Sequence, residues 1–245
     1  MTHGQRRPTY GVRREGMEVV VDNDVLRLTP LFSALDDEAA TALRGSMSET
    51  KLRRGDVLFH EGDAGDRLYI VMDGKVKLGR TSSDGRENLL AILGPGQMFG
   101  ELSLFDPGPR SATVTAVTDS SFLALSHDDL LKWLDGRPQV ARGLLAQIAS
   151  RLRKANDVNA DLVFSDVPGR VAKALLDLAD RFGRTADDGV HVHHDLTQEE
   201  LAQLVGASRE TVNKALADFA SRGWLRLEPR SVVIMEIDRL RRRAR

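Results

Sequence analysis

DLTQEELAQLVGASRETVNKALADF, residues 195–219, describes two short helices crossed at a tight turn. Thr197 followed three residues later by Glu200 is a capping-box start, in which each side chain satisfies a backbone N–H that the first helical turn leaves open. Ala202 is small enough to let a second helix approach closely. Gly206 stands where the turn needs a positive φ, which costs a residue without a Cβ nothing. Ser208 caps the second helix, and Val212 falls on the face that packs back on the first. Arg209, Glu210, Thr211, Asn213 and Lys214 then project from the opening turns of the second helix. These are side-chain types that read base edges in a major groove: Arg and Lys reach guanine acceptors, Glu the cytosine amine, Asn adenine. An ordinary helical hairpin with a charged outer face would explain the glycine. It would not explain the cluster of base-reading types at the second helix's start, so the stretch predicts a DNA-reading helix-turn-helix.

The rest of the chain is consistent with a sensor joined to this reader. Its 245 residues, 41% hydrophobic and 29% charged, suffice for two globular domains with their own cores. No apolar run reaches the roughly 20 residues a membrane-spanning helix needs. The first 24 residues carry Arg6, Arg7, Arg13 and Arg14 without an apolar core, which argues against a secretory signal and for a disordered tail. The absence of cysteine excludes disulfides and cysteine-ligated metal sites. DNA reading without an export signal predicts a cytoplasmic protein. The net charge of −1 leaves room for an acidic sensor beside a basic reader. The closing RLRRRAR, with Arg239, Arg241, Arg242, Arg243 and Arg245, reads either as a phosphate-contacting tail or as a solvated terminus.

Three textures precede the reader. Residues 25–46 form a helical preamble, with Leu31, Phe32 and Leu35 inward and Asp36, Asp37 and Glu38 opening a helix. Between Glu49 and Ser126 short alternating apolar runs are punctuated by turn signals such as Asp73-Gly74 and Asp84-Gly85, the pattern of an antiparallel barrel or sandwich. From Pro138 to Phe164 the period is helical. Ala141, Leu145, Ile148, Leu152, Ala155, Asn159 and Leu162 follow one another at steps of 4, 3, 4, 3, 4 and 3. That heptad seam predicts pairing with a second copy, Asn159 fixing the register; a helix packed on its own barrel would show the same spacing. Ser165-Asp166-Val167-Pro168-Gly169 breaks the helix and starts another. An extended tract at 189–194 and a hairpin over 223–234 complete a winged helix-turn-helix. The expected organisation is a tail at 1–24, a sensor at 25–137, a dimerisation helix at 138–165 and a reader at 166–245, an α+β protein.

The densest motif of the sensor is FGELSLFDPGPRSA, residues 99–112. Gly100 permits close backbone approach, and the Pro/Gly-rich turn brings Glu101 and Arg110 toward one place. A carboxylate can accept from a sugar hydroxyl, and a guanidinium can clamp a phosphate. A Glu–Arg ion pair closing one end of the strands accounts for the pair equally well. His191, His193 and His194 could suggest a metal, but no fourth ligand type clusters nearby and two of them alternate on an expected strand face, so a surface strand is the reading. No hydrolase, Walker or catalytic-triad spacing occurs, which excludes an enzyme on motif grounds.

The FGELSLF…PRSA cassette, the seam helix ending in DVPGR and LTQEELAQLVGASRETVNKAL, in this order over residues 25–240, together resemble the cyclic-AMP receptor protein (CRP/FNR) family, especially its actinobacterial members. The resemblance implies a jelly-roll-type barrel binding cyclic AMP (cAMP), seam helices that form a homodimer, a palindromic operator of GTGA-type half-sites, and contact with RNA polymerase. It implies that Glu101 holds the ribose 2′-hydroxyl and that Arg110 and Ser111 hold the cyclic phosphate, with Gly100, Leu102 and Ala112 lining the pocket. Arg151 would pair with the pocket glutamate. Arg209, Glu210 and Lys214 would read bases, with Thr197 and Ser208 on phosphates. One departure stands out. Where the family carries a threonine for the adenine amine, followed by a polar residue from the partner, this chain has Ala155 and Asn156. Asn156 keeps a donor and an acceptor; Ala155 has neither. A regulator of the same fold that binds DNA without cAMP, or answers another effector, is the alternative.

Overall fold

The computed structural model describes residues 25–29, 32, 35–105, 108–135 and 137–244. The expected tail, and the inward Leu31 of the preamble, lie outside the described residues. Helix α1 (Asp37–Gly45) opens as its acidic start dictates, with the Asp36 carboxylate accepting from the Ala39 N–H at 2.8 Å. Eight strands follow: β1 (Ser48–Leu52), β2 (Val57–Phe59), β3 (Arg67–Asp73), β4 (Val76–Thr81), β5 (Glu87–Leu93), β6 (Met98–Phe99), β7 (Thr113–Ala116) and β8 (Ser120–Ser126). A one-turn helix, α2 (Leu102–Phe105), lies between β6 and β7.

The strands form two antiparallel four-stranded sheets, ordered β1-β8-β3-β6 and β2-β7-β4-β5. They face one another as a jelly-roll-like sandwich, as the alternating runs predict, and do not close into a single barrel. Alternation along the strands puts Val71, Phe99 and Phe122 of one sheet against Val76, Leu93 and Val114 of the other. The opposite face of the first sheet, with Leu68, Ile70, Leu123 and Leu125, is covered by α1, by α3 (His127–Leu134) and by the start of the long helix α4 (Pro138–Phe164).

At 27 residues α4 is about 40 Å long. Only its first turns are buried, through Val140 and Leu144. Beyond them the seam stands away from the sandwich: Leu145, Leu152 and Leu162 are 64%, 61% and 49% exposed, and Val163 and Phe164 more so. Ser165 ends the helix. Asp166 caps α5 (Val167–Phe182) by accepting from the Gly169 N–H at 2.9 Å, with Pro168 in the first turn, where its missing N–H costs nothing.

The reader comprises α5, β9 (Gly183–Ala186), β10 (Gly189–His193), α6 (Gln198–Val205), α7 (Arg209–Ser221), β11 (Leu225–Glu228), β12 (Ser231–Ile234) and α8 (Ile237–Arg243). Its sheet runs β11-β12-β10-β9. The tract at 189–194 is thus one arm of a second hairpin whose other arm, β9, has no apolar alternation in sequence. Arg239, Arg241, Arg242 and Arg243 lie on α8, and Arg245 lies outside the described residues. Leu240 anchors α8 on α5, Arg243 ion-pairs with Asp166 at 2.5 Å, and Arg241 pairs with Asp238. Sensor and reader share one apolar cluster, in which Leu89 and Ile92 of β5 lie among the buried residues of α5, α6 and α7.

Candidate ligand pocket and DNA-reading helix

The turn after β6 presents the pocket groups. Gly100 has φ +80°, and a Cβ there would meet the Arg110 Nη1 at 2.8 Å and the Arg67 carbonyl oxygen at 3.0 Å. The residue must therefore be glycine both for its backbone angle and for the guanidinium beside it. Glu101 is fully buried. Arg151, reaching back from α4, donates to Glu101 Oε1 at 2.5 Å and to the Met98 carbonyl oxygen. Glu101 Oε2 is buried without a partner.

Arg110 is 5% exposed. Its Nη1 donates to the carbonyls of Arg67 and Gly100, both at 2.9 Å, and to Ser103 Oγ at 3.1 Å. Its guanidinium lies 4.2 Å from the Phe59 ring centroid, and its Nε is buried without a partner. Burial pushes the Arg110 pKa down, while the nearby charges of Tyr69, Asp66, Asp63 and Glu101 push it up. One carboxylate oxygen and one guanidinium nitrogen are thus buried in a common region without a partner among the described residues. Such groups cost roughly 1–3 kcal/mol each until a ligand meets them. They are the complement of a hydroxyl donor beside an anion. A simple Glu101–Arg110 ion pair closing the strands is not what forms: the glutamate pairs with Arg151.

Ala112 is buried beside this site, whereas Leu102 and Ser111 are exposed. Ala155 and Asn156 are exposed on α4, and neither makes a described contact with the cassette. Sequence reasoning missed the frame around Arg110: Phe59, Arg67, Ser103 and Gly65, where a Cβ would meet Ser103 Oγ at 2.3 Å. The only legible signal for that frame was the glycine itself.

In the reader, Thr197 Oγ1 accepts from the Glu200 N–H at 3.1 Å and Glu200 Oε2 accepts from the Thr197 N–H at 2.8 Å, closing the capping box. Gly206 ends α6 at φ +70°, and Ser208 caps α7 by accepting from the Thr211 N–H at 3.2 Å. Ala202 and Val212 are buried between the two helices. Arg209, Glu210, Thr211 and Lys214 are exposed on α7, with Lys214 and Glu210 paired at 2.6 Å. Asn213 departs from this set: it is half-buried, and its Oδ1 points inward without a partner. Among the described residues no cluster of three or more histidine or acidic side chains could hold a metal ion. His191 and His193 alternate on β10, and His194, just after it, is buried.

A cyclic nucleotide-binding domain model matches residues 49–137, and a Crp-like helix-turn-helix domain model matches residues 169–243. A CRP-like cAMP-activated global transcriptional regulator of Mycobacterium tuberculosis is 53% identical over 223 residues, covering 91% of this chain and all of that protein. The chain belongs to the cyclic-AMP receptor protein family of transcription regulators. The cyclic AMP receptor protein of Thermus thermophilus is 41% identical over 209 residues, 85% of this chain and 93% of that one. Among solved structures, the T. thermophilus catabolite activator protein is 39% identical, with 88% and 98% of the two chains covered and a TM-score of 0.52. FixK2 of Bradyrhizobium japonicum is 27% identical, with 80% and 96% covered and a TM-score of 0.72. The protein is therefore a DNA-binding transcription regulator with a cyclic nucleotide-binding sensor, and not an enzyme. Among the described residues no helix is long and apolar enough to cross a membrane.

Proposed function

We propose that this regulator is a cytoplasmic homodimer that binds cAMP between Glu101 and Arg110 and reads a palindrome of GTGA-type half-sites through α7, in contact with RNA polymerase. The observation that carries the ligand reading is the fully buried Glu101, with one oxygen held by Arg151 and the other unpartnered, beside a buried Arg110 whose Nε is also unpartnered. A ribose hydroxyl would donate to Glu101 Oε2, and a cyclic phosphate would draw the Arg110 guanidinium off the carbonyls of Arg67 and Gly100. Arg151 ties the carboxylate to α4, so a ligand that engages Glu101 also acts on the helix that carries the reader. Gly100, Leu102, Ser111 and Ala112 complete the pocket wall, and Asn156 meets the base. Arg209, Glu210 and Lys214 serve the bases, while Thr197 and Ser208 serve phosphates at the two helix N-termini. Asn213 has a lesser part, given its inward oxygen.

The exposed apolar seam of α4 supports the dimer, and two readers related by a two-fold axis match a palindrome. Calorimetry with cAMP and cyclic GMP on wild type and Arg110→Ala tests the ligand. The variant is expected to lose cAMP binding while its thermal transition persists, since Arg110 is the one cation of the cassette. Unchanged binding would place the phosphate elsewhere, and a wild type that binds neither nucleotide would favour the alternative, a regulator of this fold that answers another effector.

A further inference from the structure

Lys75 and Lys77 flank Val76 at the start of β4. Successive strand residues point to opposite faces, so Val76 enters the sandwich core while both lysines leave it on the same side. That side faces the reader. Lys75 Nζ donates to the His193 carbonyl oxygen at 2.5 Å, ion-pairs with Asp195 and sits 4.9 Å from the Phe182 ring centroid. Lys77 Nζ pairs with Glu200 Oε1 at 2.5 Å, leaving Oε2 to close the capping box of α6. Neither pair is a surface decoration: the lysine side chains are 15% and 27% exposed. Three further contacts reinforce the joint. Arg181 Nη1 donates to the Ile92 carbonyl oxygen at 2.8 Å, Leu89 and Ile92 lie in the reader's apolar cluster, and Gly94 meets the Phe182 ring so closely that a Cβ would stand 2.6 Å from Cε1.

We infer that Lys75 and Lys77 are positioning residues for DNA reading, a two-lysine clamp by which the sensor fixes the orientation of the recognition helix. The clamp grips α6 at its N-terminus, and α6 carries α7 rigidly through Gly206 and the Ala202–Val212 contact. Arg209, Glu210, Thr211 and Lys214 remain exposed and have no partner in the sensor, so the clamp orients the reading face without covering it. A reader held in one orientation loses less freedom on meeting DNA than one swinging on the Ser165–Asp166 break. The inference rests on the operator reading proposed above.

The test is a DNA-binding titration of the full-length Lys75→Met/Lys77→Met protein, methionine keeping the length and the apolar stem. Affinity for the palindrome is expected to fall roughly five- to tenfold, at the low end of coupling between sites, with or without cAMP. The slope of log affinity against log salt is expected to stay at the wild-type value, because neither lysine touches phosphate. Lys75→Arg/Lys77→Arg is expected to restore most of the affinity. Glu200→Gln, which keeps the capping acceptor but loses the charge, is expected to reproduce Lys77→Met and not to add to it. Wild-type affinity in the methionine variant would reduce the joint to packing, tighter binding would make it a restraint, and a shallower salt slope would make the lysines DNA contacts. Each of these overturns the clamp alone. A wild-type protein without affinity for any GTGA-type palindrome overturns the operator reading beneath it.

Discussion

Arg209 and Glu210 share the first turn of α7, yet they differ: Glu210 is committed to Lys214, while no side chain among the described residues holds Arg209. Arg209→Ala is therefore the cleaner test of base reading. Specific affinity is expected to fall by about 1–3 kcal/mol and non-specific affinity by less. An equal fall in both would make Arg209 a phosphate contact. Ala155 raises the opposite question, that of a missing group. It is exposed on α4 among seam residues, where an apolar side chain favours helix pairing and offers nothing to a base. Ala155→Thr is expected to tighten cAMP binding by about 0.5–1.5 kcal/mol, widen the preference over cyclic GMP and lower ligand-free DNA affinity. Calorimetry and DNA titration on both proteins read this directly. A threonine that changes neither would leave base selection to Asn156 alone.

At the scale of the element, the segment linking β10 to α6 is the most exacting. Asp195 there has φ +62°, an uncommon angle for a residue with a Cβ, and His194 beside it is 5% exposed. His194 Nδ1 accepts from the Leu196 N–H at 3.1 Å, which requires the neutral ring. Burial pushes its pKa from 6.5 down to about 4, Asp195 and Glu200 pulling weakly upward and Lys75 and His193 downward. The unfolded chain thus takes up a proton near pH 6.5 that the folded chain refuses until about pH 4. The stability this group contributes is complete above pH 6.5 and is lost progressively as the pH falls toward 4, an effect of at most about 3 kcal/mol. His194→Asn, whose Oδ1 can take the same N–H, is expected to flatten the pH dependence of reader unfolding across that window. An unchanged slope would assign the acid sensitivity to other groups.

For the whole molecule, the question is what covers α4. Its N-terminal turns are clamped by the sandwich, but from Leu145 to Phe164 an apolar stripe faces outward while Lys154 and Asp161 face the reader, pairing with Asp177 and Lys173 of α5. Burying Leu152 against a second copy is worth roughly 1.5–3 kcal/mol per protomer. If the proposed dimer pairs through this stripe, Leu152→Lys is expected to give a monomer in sedimentation and to weaken binding to the proposed palindrome more than to a half-site. A variant that stays dimeric would move the interface off this stripe.

Much of this was legible without coordinates because it is local. The capping box of Thr197 and Glu200, the Gly206 turn, the Asp36 and Ser208 caps and the seam period each depend on residues within a few positions of one another. The approach of Arg110 to Gly100 was foreshadowed for the same reason, since the two lie ten positions apart on either side of α2. The tertiary structure alone decided which groups meet across the chain. Lys75 and Lys77 find Asp195 and Glu200 from 120 and 123 residues away, and Arg151 finds Glu101 from 50, a pairing that only the family resemblance implied. No spacing rule joins such positions, and each partner by itself reads as an ordinary surface charge. Burial of His194, the inward turn of Asn213 and the binding of Arg243 to the Asp166 cap follow for the same reason. A sequence determines what a residue can do with its neighbours along the chain; which distant element comes to lie over it is decided only when apolar faces, here Leu89 and Ile92 against α5 and α6, are buried together.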